Sequence, residues 1–499
     1  MKRVDVLFAG LASLICATGC NSSTATMPAA RSMANGALQP GALQRGAAQH
    51  GAIQHIVIMM QENRSFNNIF AGFPGATTAM EGPCKPEPSA PWCKGDHIVK
   101  LHSVPLKTGK PNFGDDIDHS HRAFKIECDA NASGVCQMDG FDLIHKGESG
   151  QEGSAKLYPY AYVDRKETAP YWKLAQQYAL ADKMFLTDTA SSFIAHQLIL
   201  SGTVRYNGHE SLTDQPFNTP WGCDAAPGDT VPLLFLNGYE NFNGVYPCFT
   251  QYRSIAELLD AADVSWQFYV QQGLYSKKPY FDFSGAAWNG FDAIAKVRCA
   301  TFTPPYGCHG YGADWKHIST PNTNVFSDVK AGRLPAVSWV IPTIFDSDHP
   351  ASGCNGGPRW VTRVINAIGT SKYWKNTAII LFWDDWGGWY DPVPPRQFNY
   401  TSLGMRIPMI LISPYAKPHF ISETTYNYGS ILKFVEETFK LGSLGTTDKT
   451  ANSLADSFDY SQPPNGFKAA PWPPRSSCPP SSSGNIIRQI IEHDGGVPE

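Results

Sequence analysis

The sequence contains no long apolar run beyond its N-terminus and no CxxC pair, and charged residues make up only 17% of it. Without a later apolar segment of about 20 residues, no downstream transmembrane helix is predicted. The absence of CxxC pairs argues against a cysteine-based zinc site. Acidic and basic residues are mixed along a chain of net charge -4, with no basic stripe. We therefore expect no nucleic-acid partner.

The N-terminal segment has the pattern of an export signal. Lys2 and Arg3 precede an apolar run that is too short to span a bilayer and that ends in small residues. We predict a signal peptide over residues 1–20. Two interpretations of its end stay open: a lipoprotein signal that makes Cys20 an acylated N-terminus, or ordinary cleavage nearby. The protein is then a periplasmic, outer-membrane lipoprotein or secreted protein, with membrane contact through a lipid on Cys20 or through a lipid substrate.

Ten of the 12 cysteines follow this segment. An even number of cysteines in an exported chain indicates disulfides. The spacings suggest five pairs, although spacing alone does not fix connectivity: Cys84–Cys93, Cys128–Cys136, Cys223–Cys248, Cys299–Cys308 and Cys354–Cys478.

Composition divides the rest of the chain into three parts. Residues 21–50 are small, polar and rich in Gly and Ala, which predicts a flexible linker. Residues 51–470 carry the apolar runs of one folded domain. Residues 471–499 are rich in Pro and Ser, which predicts a C-terminal tail on the surface.

Four apolar runs are typical of strands that are buried on both faces: Ile56 to Met60, Ala336 to Ile341, Ala378 to Trp383 and Met409 to Ile412. They alternate with helical patterns. The clearest helix is predicted over Ser430 to Leu441, with Ser430 as its cap and Gly442 as its stop. This alternation predicts an α/β fold with a doubly wound, mostly parallel sheet, helices on both faces and long disulfide-linked loops.

Polar side chains follow two of these runs. Glu62 and Asn63 come after the first run, and Asp384 and Asp385 follow the third directly. Ligands gather at the carboxyl ends of parallel strands, where three carboxylates would repel one another unless a cation lay between them. The alternative is that each acid caps a helix or pairs with a base. For adjacent Asp384 and Asp385 the cation is favoured; oxygen ligands suit calcium, magnesium or manganese, and a histidine would admit zinc or iron.

Candidate groups for chemistry lie elsewhere. Ser192 precedes a helical segment that we expect from His196 onward, and a helix N-terminus favours anions; the alternative is that Ser191 and Ser192 only cap this helix. His119 and His349 are candidates for protonating a leaving oxygen or holding phosphoryl oxygens. Other histidines are interpreted as structural hydrogen-bonding groups: His55, His196, His309 and His317.

Three stretches stand out as motifs: HIVIMMQENRSFNNIFAGFPG, YWKNTAIILFWDDWGGWYDPVPP and RIPMILISPYAK. Together they resemble a bacterial phosphoesterase family that contains phospholipases C and an acid phosphatase branch. The resemblance covers roughly Ile53 to Gln462. It implies an alkaline-phosphatase-like fold, a catalytic domain over residues 51–470, and a metal-assisted mechanism through a phosphoryl-serine.

The resemblance also assigns roles to residues by motif. It implies a divalent cation (Ca, Mg, Mn or Zn) bound by Glu62, Asn63, Ser192, Asp384 and Asp385, and catalysis by Ser192, His119 and His349. Two departures stand out. Asn67 replaces the family's Asp after ENRSF, which we expect to alter a local cap or a hydrogen bond beside the site and not a ligand. Phe193-Ile194-Ala195-His196 replaces the family's usual FPNR, which puts in question any phosphate contact that the family makes there through Asn and Arg.

The sequence therefore predicts an exported phosphoric ester hydrolase that acts on phospholipids. Two alternatives remain: an acid phosphatase of the same family, and a catalytically silent surface lipoprotein that binds phosphate or lipid head groups. Arg64 is a candidate for phosphate binding or for a structural ion pair. Aromatic residues beside the Asp pair could form a choline cage or simply belong to the core: Trp383, Trp386, Trp389 and Tyr390.

Overall fold

The structure is a computed structural model that describes residues 51–107, 116–147, 150, 152–277, 280–396, 403–475 and 478. The predicted signal peptide with Cys20, the predicted linker and most of the predicted tail lie outside the described residues. Within these ranges, no helix has the length and apolar character needed to cross a bilayer.

The described strands are mostly short. In chain order they are β1 (His55–Gln61), β2 (Glu81–Pro83), β3 (Ile98–Lys100), β4 (His102–Val104), β5 (Ala161–Val163), β6 (Ala179–Ala181), β7 (Glu210–Leu212), β8 (Val231–Phe235), β9 (Glu240–Val245), β10 (Trp266–Tyr269), β11 (Gly273–Lys277), β12 (Tyr280–Phe283), β13 (Thr301–Thr303), β14 (Gly307–His309), β15 (Ile318–Ser319), β16 (Val337–Val340), β17 (Thr377–Trp383), β18 (Met409–Ile412) and β19 (Phe420–Ser422).

The α-helices of the described residues are α1 (Phe66–Phe70), α2 (His121–Cys128), α3 (Ala169–Gln177), α4 (Ser192–Ser201), α5 (Ile255–Ala261), α6 (Ser284–Ala287), α7 (Ala295–Arg298), α8 (Asn324–Ala331), α9 (Gly357–Gly369), α10 (Tyr428–Phe439) and α11 (Thr447–Thr450). Short 3₁₀ turns lie at Gly290–Ala293, Ala313–His317, Ile344–Asp346, Pro350–Ser352, Trp374–Asn376 and Leu454–Ser457.

A central eight-stranded sheet has the order β15-β10-β16-β1-β17-β18-β6-β19. The pairings from β15 through β17 are parallel, as is β6 with β19. β18 runs antiparallel to both of its neighbours, so its carboxyl end lies at the opposite edge from those of β1 and β17. The mostly parallel sheet predicted from the sequence is confirmed.

All four apolar runs form strands of this sheet. β16, β17 and β18 are buried at every position, and β1 at all but its first residue. A strand that is buried along its whole length is covered on both faces, as the continuous apolar runs indicate. These four strands form the centre of the core, and the polar candidate residues follow their ends.

The predicted C-terminal helix lies two residues earlier than expected. α10 has Asn427 as its N-cap, and Ser430 completes a capping box with it instead of being the cap itself. The helix ends at Lys440, whose left-handed backbone conformation terminates it before Gly442. The sequence pattern therefore located the helix correctly, whereas the capping residues set ends that differ from the predicted ones.

All five suggested disulfides are confirmed, namely Cys84–Cys93, Cys128–Cys136, Cys223–Cys248, Cys299–Cys308 and Cys354–Cys478. Four of them close loops of 8 to 25 residues. The fifth spans 124 residues and fixes the region of Cys478 to the folded domain. The connectivity thus follows the interpretation that neighbouring cysteines pair.

Asn67, the departure from the family motif, lies in α1 and has a structural role. Its backbone N–H donates to Asp391 Oδ2 at 2.9 Å, and its side chain exchanges hydrogen bonds with the backbone of Ala79. Asp391 in turn accepts from the buried Arg406 at 3.0 and 3.1 Å. The substitution therefore changes a local hydrogen bond, as expected from the sequence.

Candidate active site

The carboxyl ends of β1 and β17 lie side by side, because Gln61 pairs with Trp383 in parallel register. The residues that follow the two strands are held against each other by backbone hydrogen bonds. Asp384 N donates to Gln61 O at 2.8 Å, and Asn63 N donates to Asp384 Oδ1 at 2.8 Å. Two segments more than 300 residues apart in sequence therefore place their acids at one point.

Gly387 makes the turn after the aspartates possible. It has a φ of +59°, and a Cβ at this position would lie 2.3 Å from Asn63 O. Its N–H donates to Asp385 Oδ1 at 2.7 Å, which leaves Oδ2 of this carboxylate for another partner. Only glycine allows the turn to pass so close to the end of β1.

Glu62, Asp384 and Asp385 are fully buried, and their charges interact unfavourably. Burial and the neighbouring aspartates raise the pKa of Glu62 well above its usual range. Burial and Asp384 do the same to the pKa of Asp385. Neither Glu62 oxygen has a hydrogen-bond partner, nor has Asp384 Oδ2. Buried carboxylate oxygens without partners are costly unless they are protonated or bind a cation.

The residues present fit a divalent cation. Asn63 Nδ2 donates to His119 Nε2 at 2.9 Å, so the Asn63 amide is oriented and its Oδ1 is left without a hydrogen-bond partner. Carboxylate and amide oxygens are the ligands of hard divalent cations. In the part of the chain that the structure describes, a buried set of potential ligands consists of Glu62, His196 and Asp384.

Ser192 lies beside this cluster as the first residue of α4, with Ser191 as the N-cap. Its Oγ donates to Asp385 Oδ2 at 2.9 Å. The helix begins at Ser192 instead of near His196, and the buried hydroxyl lies at the positive end of the helix dipole. The structure thus brings together the serine and the four predicted cation ligands.

The two predicted catalytic histidines are both buried near the cluster. His119 Nδ1 donates to Ile117 O at 2.6 Å, and its Nε2 lies 3.8 Å from Asp385 Oδ2. His349 stacks on Trp288 with 6.0 Å between ring centroids. Burial and the charges of His119 and Arg64 lower the pKa of His349 well below its usual range.

His196 lies inside the acid cluster, where the sequence interpretation did not place it. It was expected to make a structural hydrogen bond, yet its Nε2 lies 3.3 Å from Glu62 Oε1 inside the acid cluster. Burial lowers the pKa of His196 to about 4, which keeps the imidazole neutral. The available signal was its spacing: residue i+4 from Ser192 lies on the same face of the helix.

The structural interpretation is confirmed for two other histidines. His55 Nδ1 lies 2.8 Å from Pro335 O, and His317 Nδ1 lies 3.0 Å from Trp266 O. His309 is exposed on the surface.

Arg64 and the aromatic residues after β17 belong to the core. Arg64 is fully buried and donates to Asp348 O, Asn68 Oδ1 and Leu106 O. Trp383 Nε1 donates to Asp348 Oδ2. None of the proposed cage residues is more than 2% exposed: Trp383, Trp386, Trp389 and Tyr390. These contacts favour the structural interpretation of Arg64 and of the four aromatic residues over phosphate binding and a choline cage.

A model of the Phosphoesterase family matches residues 53–442 of this chain. Phospholipase C A of Mycobacterium tuberculosis is 25% identical over 462 residues, which cover 83% of this chain and 78% of that protein. Hemolytic phospholipase C of Pseudomonas aeruginosa is 25% identical, covering 77% of this chain and 52% of that protein. Non-specific phospholipase C1 of Arabidopsis thaliana is 24% identical, and the match covers 79% of this chain and 68% of that protein.

Solved structures resemble the chain more weakly. A protein of the alkaline phosphatase superfamily from Vibrio parahaemolyticus aligns with a TM-score of 0.31 and 11% identity, covering 58% of this chain and 65% of that one. A phosphonate monoester hydrolase from Silicibacter pomeroyi aligns with a TM-score of 0.32 and 10% identity, covering 60% and 73%.

Replacing Glu62 by Gln tests the buried acid cluster. Because the pKa of Glu62 is raised on folding, protein treated with EDTA should lose stability as the pH rises above the ordinary carboxyl pKa of 4.5. Because Gln stays neutral, the Glu62→Gln variant should lose less stability than the wild-type protein as the pH rises. A divalent cation at 100 to 1,000 times its Kd should stabilise the wild-type protein by about 3 to 4 kcal/mol, and the variant by much less. Thermal denaturation measures both effects.

The matched control is Glu127→Gln. Glu127 is also fully buried with a raised pKa, but its partner is Trp386 Nε1. In this variant, stability should depend less on pH, and a divalent cation should still stabilise the protein as much as it stabilises the wild type. Equal cation gains in the wild-type and Glu62→Gln proteins would contradict the assignment of Glu62 as a ligand.

Proposed function

The chain belongs to the Phosphoesterase family and is a phosphoric ester hydrolase, and we propose that it acts as a phospholipase C with Ser192 as its nucleophile. The observation that carries the mechanism is the 2.9 Å hydrogen bond from Ser192 Oγ to Asp385 Oδ2 at the edge of a buried acid cluster. A cluster that retains the nucleophile and every predicted ligand argues against a catalytically silent binding protein.

Ser192 Oγ gives up its proton to solvent and attacks phosphorus in line, the bond from phosphorus to the ester oxygen breaks, and that oxygen takes up a proton from a histidine as it leaves. The N-terminus of α4 favours the developing negative charge at this oxygen. Glu62, Asn63, Ser192, Asp384 and Asp385 would hold a divalent cation, which would supply positive charge to lower the pKa of the hydroxyl and to offset charge on the phosphoryl oxygens. Water then attacks the phosphoryl-serine and releases the phosphorylated head group.

Proton donation to the leaving oxygen is assigned to His119 or His349. His119 is held by Asn63 and by the backbone of Ile117, and it lies 3.8 Å from the carboxylate that contacts the nucleophile. This position puts it close to the reacting atoms. His349 lies close enough to His119 for the two charges to interact.

The substrate class rests on the relatives. The three quoted above are named phospholipases C, and the chain covers 78% of the Mycobacterium protein, although only about half of the Pseudomonas protein. A phosphomonoesterase could use the same centre, because the chemistry at phosphorus is shared. Acid phosphatase is therefore the alternative that the substrate test must decide.

The five disulfides indicate an extracytoplasmic protein, since such bonds persist in oxidising compartments. We propose export by the signal peptide of residues 1–20, a linker over residues 21–50 and a catalytic domain over residues 51–470. Mass spectrometry of the mature N-terminus tests this and separates an acylated Cys20 from ordinary cleavage; an intact Met1 in exported protein would contradict it.

Ser192→Ala should lower kcat by about 10³-fold or more, because no other group supplies the attacking oxygen. The matched control is Ser191→Ala, since Ser191 Oγ donates to Gln215 and not to the acid cluster. The control should stay within about tenfold of wild type. Acid-quenched wild-type enzyme should carry the phosphorylated head group on the Ser192 peptide. More than a few per cent residual turnover in Ser192→Ala would exclude Ser192 as nucleophile.

His119→Gln should reduce turnover by an amount that depends on the leaving group. A general acid matters most for a basic alkoxide, so the loss should be about 10²- to 10⁴-fold with phosphatidylcholine and far smaller with a nitrophenyl ester. Parallel kinetics of His349→Gln identify which histidine is the acid. Equal losses on both substrates for both variants would argue against general-acid catalysis by either.

Phospholipase C activity predicts a preference for nitrophenyl phosphorylcholine over nitrophenyl phosphate, by about tenfold or more in kcat/KM. The reason is that a phospholipase C binds a diester with a head group, whereas a phosphomonoesterase binds a dianionic terminal phosphate. Turnover measured with both substrates on cation-loaded enzyme decides the matter. A preference for nitrophenyl phosphate would instead identify an acid phosphatase.

A further inference from the structure

We propose that His196 is a ligand of the cation, so that the site offers an imidazole nitrogen beside the carboxylate oxygens of Glu62 and Asp384. The consequence is selectivity for a transition cation such as zinc or manganese over calcium and magnesium. This inference rests on the divalent cation of the proposed function and adds a sixth residue to its predicted ligands.

The distances suit coordination. One potential ligand atom from each of Glu62, His196 and Asp384 lies within 4.8 Å of the other two. His196 Nε2 and Glu62 Oε1 are 3.3 Å apart. Neighbouring ligand atoms about 2.0 to 2.1 Å from one ion are about 2.8 to 3.4 Å apart, from octahedral to tetrahedral geometry. The spacing therefore matches that of two ligands of one ion.

Buried polar atoms without hydrogen bonds also indicate a cation between His196 and the two acids. His196 and both acids are at most 1% exposed. Both Glu62 oxygens, Asp384 Oδ2 and both His196 ring nitrogens lack a hydrogen bond of normal geometry. Buried polar groups are almost always paired, so several unpaired atoms in one cluster indicate a missing common partner. A cation bound to one His196 nitrogen would satisfy that nitrogen and the carboxylate oxygens at once, while the other side of the ring faces the backbone of Trp288.

Trp288 holds the imidazole in position. Its ring stacks parallel to that of His196, with 6.3 Å between centroids and an interplanar angle of 8°. Its backbone also interacts with the His196 ring. Imidazole ligands of metals are characteristically oriented by a contact at the other ring nitrogen.

The helix links this ligand to the nucleophile. Ser192 and His196 are four residues apart on α4, every residue of which is buried. They therefore lie on one face of a rigid helix, one turn apart. A cation held by His196 would fix the position of Ser192 relative to the acids.

The competing explanation is that neutral His196 only hydrogen-bonds to a protonated Glu62. In that case the imidazole contributes nothing to cation affinity. The two explanations differ in the donor atoms of the bound ion: a nitrogen ligand raises affinity for later first-row transition cations, whereas calcium and magnesium prefer oxygen. Spectroscopy of the loaded protein distinguishes them without measuring activity.

The test uses full-length mature protein, stripped with chelator and loaded with Mn²⁺. Pulsed EPR should show a directly bonded nitrogen-14, which becomes nitrogen-15 when the protein is labelled with ¹⁵N-histidine. The coupling should disappear in His196→Gln and survive in His119→Gln and in His349→Gln, which remove the other imidazoles near the cluster. If His196→Gln does not fold, the labelled wild-type protein and the two control variants still identify the nitrogen.

Equilibrium dialysis provides the second measurement. His196→Gln should weaken Zn²⁺ binding by about tenfold or more while Mg²⁺ binding changes much less, because Gln offers oxygen in place of nitrogen. Bound Mn²⁺ without nitrogen coupling, or unchanged zinc affinity in the variant, would overturn the role of His196 and leave the proposed function standing. Failure to bind any divalent cation would instead overturn the proposed function itself.

Discussion

The structure depends on one electrostatic constraint: three carboxylates that are fully buried at the ends of two adjacent parallel strands. Glu62 follows β1, while Asp384 and Asp385 follow β17, and the parallel register of these strands leaves the three acids no way to separate. Like charges at such short range are tolerated only with bound protons or a bound cation. The raised pKa of Glu62 and of Asp385 expresses the same constraint. Any folded state with this arrangement therefore needs bound protons or a bound cation to neutralise the three acids.

The surrounding core makes the arrangement rigid. Arg64 is fixed by three backbone and side-chain acceptors, Trp383 by Asp348, and Trp386 by Glu127. These hydrogen bonds hold the strand ends and the turn after β17 in place.

Helix α4 joins the charge cluster to the chemistry. Its first residue contacts Asp385, and His196 contacts Glu62 one turn later. Because Ser192 and His196 lie on the same buried helix, neither can change position without the other. In the proposed mechanism, the positive end of the helix dipole and a bound cation would act on the same hydroxyl oxygen, which would activate the serine without a dedicated base of the kind that serine hydrolases use.

The sequence by itself determined the buried strands, the sheet type and the disulfide pairs, because continuous apolar runs and cysteine spacing are local signals. It also located Glu62, Asn63, Asp384 and Asp385, since residues directly after such strands must lie at one edge of the sheet. Only the tertiary structure decided what His196, Arg64 and Trp383 do. A helical or loop residue shows its spacing in the sequence, but its partner depends on which distant segment packs against it. That choice is made by the fold as a whole.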